Sequence, residues 1–87
     1  MATKAGATAI GTSAVRVYTT STLRCREVIL QSATANTGVV TIGVTEANQY
    51  IVVPEAPNTL MLTDVDLYNI WVISTATPEV LNYIAST

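Results

Sequence analysis

Ala35-Asn36-Thr37-Gly38-Val39-Val40-Thr41-Ile42-Gly43-Val44 is the stretch on which the fold class turns. Val40, Ile42 and Val44 alternate with Thr41 and Gly43, the period-two pattern of a β-strand with one buried face. Asn36 and Gly38 tolerate positive φ, so a tight turn is expected to lead into that strand. On the N-terminal side, Arg24–Ser32 reads as a second strand with Val28 and Leu30 pointing inward. Cys25 lies three residues before Val28, an odd offset. If both point inward, a β-bulge is expected between them. Before that, residues 14–18 form a strand that ends in the turn Thr19-Thr20-Ser21-Thr22.

Toward the C-terminus the same grammar continues. A polar connection at residues 45–49 leads to a short strand at 50–53. The two prolines of Pro54-Glu55-Ala56-Pro57-Asn58 forbid a regular ladder, so this is a loop or an edge. Residues 59–63 make another strand, with Leu60 and Leu62 alternating. Residues 64–69 turn, with room for one turn of 3₁₀ helix. Strands at 69–74 and 80–85 are then expected to pair as a hairpin across Thr75-Ala76-Thr77-Pro78-Glu79. Helical periodicity with caps is absent throughout. Turns at this spacing imply an all-β chain: a small β-sandwich or jelly-roll-like domain of about seven or eight short antiparallel strands. The domain is expected to occupy residues 14–87. Residues 1–13 lack apolar periodicity and read as an N-terminal arm, either frayed or lying on a neighbour.

Composition bounds the function. The chain has 87 residues, enough for one domain; 49% are hydrophobic and only 11% charged. So few charges coat a lone small domain poorly, and part of its apolar surface is expected to be covered by another protein. A net charge of −2 with four basic residues lacks the basic patch that phosphates require, so nucleic acid is not an expected partner. Arg24 and Arg26 share one strand side, which leaves room for a small anion contact, but a solvated or salt-bridged strand face is the favoured reading. With no His and one Cys, the chain has neither an intrachain disulfide nor the base that a thiol nucleophile needs. Cys25 is expected to pack as a small apolar residue. Asp64 and Asp66 are too few for a metal loop and read as turn caps. No catalytic residues, cofactor or metal ligands are expected. There is no apolar run of membrane length and no apolar core of a secretory signal, so the protein is expected to be made in the cytoplasm and to need no membrane.

Binding surfaces are the remaining candidates. Ile70, Val72 and Ser74 share one face of the last pair of strands, and Trp71 and Ile73 the other. Val80, Asn82 and Ile84 oppose Leu81, Tyr83 and Ala85 in the same way. A pair that is apolar on both faces is either central to a two-layer core or presents an oligomer interface. Trp71, Ile73, Leu81 and Tyr83 are the candidate interface residues, with Ile10 the one apolar anchor of the arm. Trp71 and Tyr83 could alternatively stack on a sugar.

Arg24–Ser32 followed by Asn36-Thr37-Gly38-Val39-Val40-Thr41-Ile42-Gly43 resembles small virion proteins of tailed bacteriophages, of the capsid decoration (cement) type. So does Val65-Asp66-Leu67-Tyr68-Asn69-Ile70-Trp71-Val72-Ile73 with Leu81-Asn82-Tyr83-Ile84. The resemblance spans residues 13–86. Pro54-Glu55-Ala56-Pro57 departs from it, standing where a Gly- or Ser-rich loop belongs. The resemblance implies a β-sandwich or jelly roll on the outer capsid surface, binding at junctions between capsomers. It implies two partners: the major capsid protein, gripped in part by the arm, and further copies of the chain, commonly as a homotrimer. The reading from another class is a receptor- or carbohydrate-binding module of a tail fibre or tail tip. An exposed aromatic platform would distinguish that module from a repeating apolar patch.

Overall fold

A computed structural model describes residues 3–55 and 58–87. Eight strands follow in order: β1 Thr3–Ile10, β2 Val15–Arg16, β3 Arg24–Ser32, β4 Val40–Gly43, β5 Ile51–Val53, β6 Leu60–Asp66, β7 Trp71–Ser74 and β8 Glu79–Ser86. A single 3₁₀ turn, Leu67–Asn69, precedes β7. Two four-stranded sheets result, ordered β1-β8-β3-β6 and β2-β7-β4-β5. In pairing, the first strand meets the last, the second the seventh, the third the sixth and the fourth the fifth, all antiparallel. The chain is thus one long antiparallel hairpin rolled across two sheets, closed by the β3–β8 and β4–β7 pairs. This is the jelly-roll form of the β-sandwich, with β1 and β6 at the edges of one sheet and β2 and β5 at the edges of the other.

Alternation builds the core. On β8, Leu81, Tyr83 and Ala85 face the opposite sheet; β4 contributes Val40 and Ile42, and β3 contributes Val28 and Leu30. Leu67 of the 3₁₀ turn is fully buried beside them. It is held there by Asp66, whose carboxylate accepts from Leu23 N (2.9 Å) and Tyr68 N (3.0 Å). Asp66 is therefore the turn cap the sequence suggests, while Asp64 is exposed. The accessible surface is 4942 Å², against about 4,900 Å² for a compact monomer of this mass.

Four expectations need correction. Residues 3–10 are not an arm: they form β1, in register with β8 from Thr3↔Ser86 to Ile10↔Glu79. The segment escaped notice because only Ile10 is buried; its hold is the main-chain ladder, which apolar periodicity does not report. Gly6 lets the Tyr83 ring lie across β1, since a Cβ there would meet Tyr83 Oη at 2.6 Å. Thr8 Oγ1 donates to Val17 O at 2.6 Å, and Lys4 Nζ sits 5.0 Å from the Tyr18 ring centre. Met1 and Ala2, also assigned to the arm, lie outside the described residues.

The β7–β8 hairpin does not form either. β7 and β8 belong to different sheets, and the chain between them crosses the sandwich. Both are interior strands, as the core reading of their double apolar faces requires. Cys25 and Val28 both point inward as expected, but the register is the same on either side of them. The phase changes on both strands at once, at Arg26 and the facing Asp64 (φ 52°), so no extra residue is inserted. Finally, no glycine among the described residues has positive φ. Gly38 is needed for space: a Cβ there would meet Thr75 Oγ1, Ala76 N and Glu79 Oε1 within 3 Å. Pro54 accepts from Ser32 N at 3.0 Å, whereas Ala56 and Pro57 of the expected proline loop lie outside the described residues.

Candidate interaction surfaces

The five residues singled out from sequence do not share a surface. Ile10, Leu81 and Tyr83 are in the core, at 5%, 0% and 8% exposure. Trp71 and Ile73 are half-buried on the outer face of the other sheet. The pairing assumed for β7 and β8 put Leu81 and Tyr83 on the wrong side; the outward set of β8 is Val80, Asn82 and Ile84. A sugar platform of Trp71 and Tyr83 is excluded by the same geometry. Trp71 is moreover occupied: the Arg16 guanidinium lies 4.5 Å from its ring centre and 4.0 Å from that of Tyr68. Arg16 Nη1 also donates to Tyr68 O. This stack ties short β2 to the 3₁₀ turn, stabilising by about 0.5–2 kcal/mol.

The residues around the Asn36-Thr37-Gly38 turn form a polar clamp. Glu79 is buried, and its carboxylate accepts from Ser74 Oγ (2.5 Å), Thr37 N (2.5 Å) and Gly38 N (3.1 Å). Asn36 matches it from the other side: its Oδ1 accepts from Val80 N (2.9 Å) while Nδ2 donates to Val80 O (2.7 Å) and Ser32 Oγ (2.8 Å). Among the described residues, no buried side-chain nitrogen or oxygen is left without a partner. The Ser74 hydroxyl and the two backbone amides hold the Glu79 carboxyl below its ordinary value of 4.5, against the opposing effect of burial. A depressed folded value makes this contribution complete above the unfolded value of 4.5 and lost as pH falls through the folded one. The melting temperature is therefore expected to fall on the acid side of pH 4.5. Glu79→Gln should melt lower at neutral pH and show a shallower acid decline. Thermal melts from neutral pH to pH 2 check this, and parallel wild-type and variant curves would refute it.

Cys25 is buried, its Sγ 3.3 Å from Leu23 O, and burial pushes its thiol up. It behaves as the packed apolar residue expected. Among the described residues, no cluster of three or more His, Cys, Asp or Glu is placed to hold a metal ion. No helix among them is long and apolar enough to cross a membrane.

Four exposed apolar side chains gather at the β4–β5 hairpin, which the sequence presents as the end of one strand at Val44, a polar connection at residues 45–49 and a short strand at 50–53. Val44 is 75% exposed, Tyr50 79%, Val52 58% and Ile51 48%. Val44 was expected to face inward with Ile42, but β4 ends at Gly43 and the chain turns before Val44 reaches the core. The loop that presents them is braced. Gln49 Nε2 donates to Thr45 O (2.8 Å) and Glu46 O (2.7 Å), Asn48 N donates to Thr45 O (3.3 Å), and Tyr50 Oη bonds Asn48 Oδ1 (2.6 Å). Gly43 permits the closure, because any Cβ there would collide with the Asn48 carbonyl oxygen. A shallow groove of about 280 Å³ runs between Ile42, Gly43, Val44, Asn48, Tyr50 and Ile51. Apolar groups held out by a hydrogen-bonded loop form a surface organised for contact. The signal legible in sequence was the run Tyr50-Ile51-Val52-Val53, apolar at every position instead of alternating.

Compared with known proteins, the chain matches no family model, and no curated protein or solved structure is similar enough to count as a match.

Proposed function

We propose that this chain is a non-enzymatic structural protein of a bacteriophage particle: a capsid decoration protein that binds the outer surface of the head and stabilises it. The observation that carries the reading is the braced hairpin tip of Val44, Tyr50, Ile51 and Val52, exposed on a sandwich whose core is otherwise closed. A domain that holds four exposed apolar side chains on a hydrogen-bonded protrusion is suited to docking on a firm partner. The major capsid protein is that partner in this reading. The eight-stranded jelly roll, an architecture found in viral capsid proteins among others, supports it at the level of fold analogy. The resemblance of Arg24–Ser32 with the Asn36–Gly43 stretch to cement proteins supports it from sequence. Low charge and the lack of a nucleic-acid patch suit a protein whose work is contact.

Many copies placed side by side hold neighbouring capsomers together, and contacts between copies add avidity to each weak docking event. Such a protein is made in the host cytoplasm and ends on the virion. The test is its abundance in purified particles, measured by quantitative mass spectrometry. A fixed stoichiometric ratio to the major capsid protein is expected. A handful of copies per particle would assign it to the tail and overturn the reading.

A further inference from the structure

The register fixes what the outer face of the β1-β8-β3-β6 sheet presents. One row runs Ala5, Ile84, Ile29, Met61 across all four strands. Ile84 is 52% exposed, Met61 57% and Ile29 36%. The neighbouring rows are Thr3, Ser86, Glu27, Thr63 on one side and Ala7, Asn82, Gln31 on the other, with Ala9 and Val80 beyond. Glu27 is the only charged residue in these rows.

We propose that this face is covered by the same face of a second copy, giving a two-fold dimer of stacked sheets. Three observations favour a second copy over a foreign partner. The first is charge: Glu27 stands at the margin of the face beside the exposed Arg26 and Asp64, which oppose each other across β3 and β6, so the charges are few, mixed and confined to one end, and the face does not repel itself. The second is shape. A two-fold axis between the sheets, parallel to the strands, reverses the strand order of the facing copy. Met61 then lies over Ala5 of the second copy, large on small, and Ile29 lies over its Ile84. Glu27 falls over Ser86 of the second copy rather than over a second Glu27. Alternating large and small groups across facing positions is how packed layers interdigitate. The third is area. Strands of this length, about 4.8 Å apart with a rise of about 3.4 Å per residue, make a face of roughly 500 Å², so a pair buries about 1,000 Å², the lower bound for a specific interface.

This contact is isologous, so it closes at two copies; the trimer that the resemblance implies needs two different surfaces. It is also separate from the head-binding hairpin, which lies on the other sheet.

The experiment is sedimentation equilibrium of the protein alone, from low micromolar to near-millimolar concentration. A mass twice 9.2 kDa is expected, with dissociation in the micromolar range. Ile84→Lys should raise the dissociation constant at least about 30-fold, as for a central hot spot, while leaving the circular dichroism spectrum unchanged. Met61→Lys, at the sheet edge, gives the same readout should Ile84→Lys fold poorly. Tyr50→Ser should leave the dimer intact. A monomer over the whole range, a trimer, or a dimer indifferent to both lysines would overturn the proposal. Because heads are absent from this measurement, it fails or succeeds independently of the capsid reading.

Discussion

Removal of residues 1–11 is expected to abolish the cooperative fold. Without β1, the edge of β8 loses its partner over eight register positions. Ile10 leaves the core, and its burial alone stabilises by about 1.5–3 kcal/mol. Tyr83 loses the strand it lies across, Val17 O loses the Thr8 hydroxyl, and Ser74 N loses the Gly11 carbonyl it meets at 2.8 Å. A domain of this size holds only about 4–13 kcal/mol in total, so the sum of these losses rivals the whole. The truncated chain should show no sigmoidal melt by circular dichroism, or should aggregate through the exposed β8 edge. Ile10→Ala, which keeps the ladder, should melt cooperatively but be destabilised by about 2–5 kcal/mol. A truncated protein with an unchanged melting temperature would return residues 3–10 to the status of a detachable arm.

Strands that bury one face announced themselves. Arg24–Ser32 is a strand over the same residues that its pattern indicates, and the Val40–Ile42 alternation lies where it should. Those positions owe their conformation to local side-chain burial, which a sequence displays. β1 was hidden because one of its faces carries only Ala and Thr, and the alternate positions that lead to Ile10 are the exposed Lys4 and the half-buried Gly6 and Thr8. Its place depends on an open β8 edge that lies 69 to 83 residues away in the chain. The β7–β8 connection was misread for a related reason. Thr75 to Glu79 looks like a hairpin turn, yet β7 is claimed by β4 and β2, and β8 by β3 and β1. Sheet membership is a tertiary choice that no turn signal encodes.

The same error displaced the candidate interface. Once β8 is assigned to its own sheet, Leu81 and Tyr83 turn inward and Ile84 outward. The hairpin tip was missed because Val44 appears to continue the β4 alternation. Only the turn at Gly43, with Asn48 packed against it, carries Val44 into solvent. The Glu79 clamp was likewise invisible, since it joins residues some forty positions apart that the sequence offers as two unrelated turns.

The central claim is that the protein works by docking its braced hairpin on the phage head. The direct measurement is co-pelleting with undecorated phage heads, comparing wild type with the double variant Tyr50→Ser, Val52→Ser. Both side chains are more than half exposed, so the variant should keep its stability to within about 0.5 kcal/mol. Two apolar anchors lost from the centre of a contact should weaken it about 100-fold or more. Saturable binding by the wild type and that loss in the variant are the expected result. Wild-type protein that stays in the supernatant, or a double variant that pellets as tightly as wild type, would contradict the account.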